Sequence, residues 1–99
     1  MKVLVVDDMP SMRSTIRNML RQLGYVHIRE AEDGRGAWNR MKAEKFDVAV
    51  VDWNMPHMNG IELLRKARAD EELGSLPFVM VTAEVNEETI AEAAETEVD

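Results

Sequence analysis

Three aspartates stand where two short apolar runs end. In VLVVDD, Val3 to Val6 lead directly into Asp7 and Asp8, and in VAVVDWNMP, Val48 to Val51 lead into Asp52. Apolar runs of this kind, with no polar break, suit strands covered on both faces, as in a parallel sheet. A carboxylate at the end of such a strand lies beyond the carboxyl edge of the sheet, where open α/β sheets bind their ligands. If the two strands are neighbours, about 4.8 Å apart, their terminal acids are within one ion's reach. Like charges so close raise one another's pKa unless they share a cation. Oxygen-only ligands suit a hard divalent ion, magnesium above all, because it keeps several waters and takes few protein ligands.

Two acids can hold an ion, and the third has a use of its own. A carboxylate can attack phosphorus to give an acyl phosphate, while the ion screens one anion from the other and neutralises charge on the transferring group. Asp52 stands alone on its strand and is the candidate nucleophile, with Asp7 and Asp8 as magnesium ligands. The competing role is structural: an aspartate after a strand often caps the next helix, and Asp8, two residues ahead of Pro10, suits that role. A third apolar run, Phe78 to Val81, ends on Thr82 and Ala83. The Thr82 hydroxyl would emerge at the same sheet edge to donate to a phosphoryl oxygen, and Ala83 leaves room for entry. Trp38, Trp53 and the eight methionines read as packing residues.

The elements that must position these residues follow from periodicity. Met12, Ile16, Leu20 and Leu23 recur at helical spacing behind Pro10 and ahead of Gly24, which suits a left-handed cap. Val26 and Ile28 alternate with His27 and Arg29, as in a half-exposed strand. Ala37, Trp38 and Met41 mark a second helix after Asp33-Gly34, and Ile61, Leu64 and Ala67 a third after the Asn59-Gly60 loop. Ile90, Ala93 and Ala94 mark a fourth, with Asn86 as its cap. The order β-α-β-α-β-α-β-α predicts a doubly wound parallel sheet with helices on both faces and right-handed crossovers. The sequence stops after the fourth helix, where this pattern would enter another strand. The expectation is a fragment or a fold completed by another chain, with the open edge at Phe78 to Val81 available for self-association.

With 99 residues and 45% hydrophobic content, residues 1–99 make one compact domain. The absence of cysteine excludes a disulfide framework and a thiolate metal site. The apolar run near the start is broken at once by two aspartates, so neither a signal peptide nor a membrane span is expected, and the reading is cytoplasmic. A net charge of −7 argues against a nucleic-acid surface. Residues 84–99 hold seven of the 19 acids and none of the 12 bases, which reads as a solvated helix face or as a docking surface for a basic partner.

In order and spacing, VLVVDD, VDWNMPHMNG and PFVMVTAE resemble the receiver domains of two-component response regulators, on their CheY-like chemotaxis branch. The resemblance implies a flavodoxin-like fold with strand order 2-1-3-4-5, which periodicity alone does not supply. It implies phosphoryl transfer to Asp52 from a histidine kinase or a small donor such as acetyl phosphate. It also implies Mg2+ held by Asp7, Asp8, Asp52 and the backbone carbonyl of Asn54, with Thr82 moving to bond the phosphate. Asn54 and Glu84 lie where the family tunes phosphoryl lifetime. The implied partners are the kinase and a downstream protein target, a flagellar motor component among them, and neither nucleic acid nor membrane. Such a domain catalyses only its own phosphoryl transfer and loss, and is not a turnover enzyme.

The family continues into a fifth strand bearing a lysine that contacts the phosphoryl group, and then a fifth helix. Neither lies within these residues, so the sequence reads as a C-terminally incomplete receiver with no lysine assigned that role. One rival is a receiver of another pathway serving as a truncated or domain-swapped interaction module. The other is a magnesium-dependent phosphatase of the haloacid dehalogenase type, which would want a second acid where Asn54 stands.

Overall fold

The structure, a computed structural model, describes residues 1–52 and 58–81. Trp53, Asn54, Thr82, Ala83, Glu84 and the expected fourth helix with its Asn86 cap lie outside the described residues. The described elements alternate as the apolar runs require: β1 (Lys2–Val6), α1 (Pro10–Gln22), β2 (His27–Ala31), α2 (Gly34–Ala43), β3 (Val48–Asp52), α3 (Gly60–Ala69) and β4 (Phe78–Val81). The strands form one parallel sheet in the order β2-β1-β3-β4. This is the doubly wound, flavodoxin-like arrangement.

Strand alternation divides the core in two. Leu4, Val6, Ala49 and Val51 face one side of the sheet and pack with Ala37 and Met41 of α2 and with Leu63 and Leu64 of α3. Val3, Val5 and Val50 face the other side and meet Ile16 and Leu20 of α1. Both faces of β1 are therefore covered, and Val3 to Val6 are at most 1% exposed. The third apolar run behaves differently. Phe78 is buried, but Val79 is 47% exposed on β4, an outer strand among the described residues.

Local signals set the helix ends. Pro10 opens α1, where its missing N–H costs nothing, and Met9 occupies the cap position without a side-chain hydrogen bond. Asp8 is thus not the helix cap. The stripe Met12, Ile16 and Leu20 is half-buried, whereas Leu23, which periodicity places on the same face, is 74% exposed. The helix ends at Gln22, so Leu23 sits at its C-cap as the chain turns away through Gly24 at φ +98°. Val26 is 70% exposed because pairing with β1 begins one residue later, at His27 opposite Lys2.

Asp33 caps α2 by accepting a hydrogen bond from the Gly36 N–H at 2.7 Å. Asn59 and Glu62 form a capping box at the start of α3, with the Glu62 N–H donating to Asn59 Oδ1 at 2.9 Å. Gly34 is required by a close approach: a Cβ there would lie 2.7 Å from Met58 Cβ, just ahead of α3.

Candidate metal centre

The β1–β3 register brings the acids together. Val6 lies opposite Val51, so Asp7 follows β1 at the level where Asp52 ends β3. Asp7, Asp8 and Asp52 each present a carboxylate oxygen, and these oxygens lie within 4.8 Å of one another. Asp7 is 2% exposed, Asp52 is half-buried and Asp8 is open to solvent. A cation could therefore enter past Asp8 and be held between two anchored carboxylates.

Backbone bonds hold the turn that carries Asp7 and Asp8. The Asp7 N–H extends the β1–β2 ladder by donating to the Ala31 carbonyl at 3.1 Å. The Met9 N–H donates to Asp7 Oδ1 at 2.9 Å, closing a local loop in which aspartate substitutes for a backbone acceptor. Arg13, one turn into α1, donates from Nη1 to the Asp7 carbonyl at 2.7 Å. Burial pushes the Asp7 carboxyl above its ordinary value, the Met9 N–H opposes this, and the neighbouring Asp8 charge adds to it while Arg13 pulls it down.

This donor set suits a hard divalent cation. It is made of carboxylate oxygens, one of them on a buried acid whose ionised form is disfavoured where it stands, so a shared cation relieves both desolvation and mutual repulsion. Of the expected site residues, Asp7, Asp8 and Asp52 converge. Thr82, Ala83, Asn54 and Glu84 lie outside the described residues, although Val81, which precedes Thr82, pairs with Asp52 in the ladder.

Sequence reasoning missed Arg13, Arg17 and Glu30. Arg13 Nε lies 3.4 Å from Glu30 Oε1, and Arg17 Nη1 lies 2.9 Å from Glu30 Oε2. The available signal was two arginines four residues apart, the first of them five residues after the acid pair. Among the described residues, two concavities lie away from the acids. One of about 750 Å³, lined by Lys42, Phe46, Leu73 and Pro77 among others, lies toward the strand starts, and one of about 420 Å³ is lined by Asp33, Arg35, Trp38, Met58 and Lys66. Trp38 packs against the core with Lys66 Nζ 4.5 Å from its ring centre, in keeping with a packing role.

The sequence pattern described as "Response regulator receiver domain" matches residues 3–99. The chain belongs to the response regulator receiver family. This receiver is 50% identical over 99 residues to chemotaxis protein CheY-3 of Vibrio cholerae, covering all of this chain and 76% of that protein. It is likewise 50% identical to chemotaxis protein CheY of Pseudomonas aeruginosa, covering all of this chain and 80% of that one. Among solved structures, the receiver superposes on chemotaxis protein CheY4 of V. cholerae with a TM-score of 0.87 at 34% identity, over 98% of this chain and 80% of that one. It is a CheY-like receiver domain of the two-component response regulator type. No helix among the described residues is long and apolar enough to cross a membrane.

Proposed function

We propose that Asp52 is the phosphoacceptor of this receiver and that Asp7, Asp8 and Asp52, with the backbone carbonyl of Asn54, hold Mg2+ beside it. The observation that carries this reading is the convergence of three carboxylates at the ends of two adjacent strands. When bound, Mg2+ would lower the repulsion between carboxylate and phosphoryl group and neutralise charge that develops during transfer. Asp52 attacks the phosphorus of a histidine kinase phosphohistidine or of acetyl phosphate. The bond from phosphorus to the donor nitrogen or oxygen breaks, and its electron pair leaves with the donor. Asp7 and Asp8, fixed by the β1–α1 turn, keep the carboxylates in place throughout. Loss of the phosphoryl group to water restores Asp52, so the domain catalyses only its own modification.

Thr82 and the backbone of Ala83 are the donors proposed for the new phosphoryl oxygens, and Asn54 and Glu84 the residues that tune its lifetime. Drawing the Thr82 segment inward would pass the signal to residues 84–99, whose seven acids make them a surface for a basic protein target. The 50% identity to two chemotaxis proteins supports a chemotaxis pathway with a protein of the motility apparatus as target.

The test is acetyl-phosphate labelling followed by intact-mass measurement, with and without Mg2+, on the wild type and on Asp52→Asn. A gain of one phosphoryl group that requires Mg2+ and vanishes in the variant is expected. Labelling of Asp52→Asn to the wild-type level would overturn the assignment.

A further inference from the structure

We propose that Arg13 is the positioning residue of the acid cluster: its guanidinium, braced by Glu30 of β2, clamps the Asp7 carbonyl and holds the β1–α1 turn in the shape that presents Asp7 and Asp8 to one cation. This inference rests on the metal reading above. Apart from the Asp7, Met9 and Arg13 backbone N–H bonds, to the Ala31 carbonyl, Asp7 Oδ1 and the Met9 carbonyl, the turn has little to anchor it. Asp8 and Met9 are exposed, Pro10 has no N–H to donate, and α1 begins without a side-chain cap. The apolar contacts that hold strands and helices are therefore absent from Asp8 to Pro10, and hydrogen bonds must do their work.

Arg13 is built for that role. Its side chain is only 17% exposed, and a guanidinium can serve two acceptors at once through its fork of donors. Nη1 takes the Asp7 carbonyl at 2.7 Å, while Nε faces Glu30 Oε1 at 3.4 Å. Glu30 is held in turn by Arg17 at 2.9 Å. The chain of contacts ties the first turn of α1 and β2 to Asp7, the proposed metal ligand that directly follows β1.

Two effects of Arg13 on a bound cation oppose each other. Its positive charge repels the ion, whereas its hydrogen bond keeps the ligands in position. Glu30, which also pairs with Arg17, masks part of that charge, and positioning is the effect proposed to be larger. The two roles differ in sign, so they separate cleanly: removing a repulsive charge tightens Mg2+ binding, and removing a positioning contact weakens it.

The experiment measures the Mg2+ dissociation constant of the whole chain, by calorimetry, for the wild type, Arg13→Met, Arg13→Lys and Glu30→Gln. It also measures amide hydrogen exchange at Met9 without metal, since the Met9 N–H is bonded to Asp7 Oδ1. Arg13→Met is expected to weaken Mg2+ by about three- to tenfold, the net size of one ordinary hydrogen bond, and to speed Met9 exchange. Arg13→Lys, which keeps the charge and a donor group but loses the planar fork, should recover part of the affinity. Glu30→Gln should weaken Mg2+ at low salt and less so at high salt, because the unmasked charge is then screened. Equal or tighter Mg2+ binding by Arg13→Met with unchanged Met9 exchange would overturn the inference alone. A wild type that takes up no Mg2+ at the aspartates would overturn it together with the metal reading.

Discussion

Asp7 concentrates the physics of the site in one side chain. It is buried, and desolvation together with the Asp8 charge holds its pKa above the ordinary value of 3.8. For a carboxylate raised on folding, the native state keeps its proton longer than the unfolded chain does. Stability is therefore greatest below the unfolded pKa, falls as pH rises through the window between the two values, and stays lower above it. Without metal, Asp7→Asn should accordingly raise the melting temperature at pH 7, with the gain fading below pH 4 as both forms become neutral. Calorimetric melts of the two proteins across that range check it, and an unchanged difference at all pH values would contradict it. The placing of Asp7, Asp8 and Asp52 at one edge of the sheet was legible because matched apolar runs end on all of them. Arg13 was not, since Glu30 meets it only once β2 lies beside β1, and the Asp7 carbonyl only once the β1–α1 turn has closed.

At the level of elements, helix starts are where side-chain chemistry shows most clearly. The capping box of Asn59 and Glu62 satisfies N–H groups at the start of α3, the helix that follows the segment after Asp52. Asn59→Ala should cost about 1 kcal/mol of stability, measured by urea unfolding. Gly34 fills a different need at the start of α2, where a Cβ would meet Met58 Cβ at 2.7 Å and the Met58 carbonyl at 2.8 Å. Gly34→Ala should destabilise by about 1–3 kcal/mol through that clash, despite the better helix propensity of alanine. An unchanged unfolding midpoint would mean that the two segments separate freely. The Asp33-Gly34 turn was readable in the sequence, but the contact with Met58 was not, because it joins two loops far apart along the chain. Periodicity also misplaced Leu23 and Val26, since it records a repeat without knowing at which residue a helix or a ladder stops.

For the whole molecule, the sheet order decides the outcome. With β1 beside β3, two strands that are distant in sequence deliver their terminal acids to one place, and α1, α2 and α3 cover the faces behind them. Alternation of apolar runs with helical repeats made the fold class legible. The neighbour relation itself came with the family resemblance, because periodicity says nothing about which strand pairs with which. A cation bound only by the folded chain must stabilise it as a unit. Mg2+ at a hundred times its dissociation constant should add about 2.7 kcal/mol to the unfolding free energy of the wild type, and far less to Asp7→Asn or Asp52→Asn. The overall charge of −7 supplies a competing explanation for any metal effect, since residues 84–99 alone hold seven acids. Location therefore discriminates better than affinity. The most direct measurement is amide NMR during titration with paramagnetic Mn2+ as a substitute for Mg2+. One equivalent should broaden the amides around Asp7, Asp8 and Asp52 at the ends of β1 and β3, and excess Mg2+ should restore them. Broadening centred on residues 84–99, with the strand ends untouched, would contradict the account.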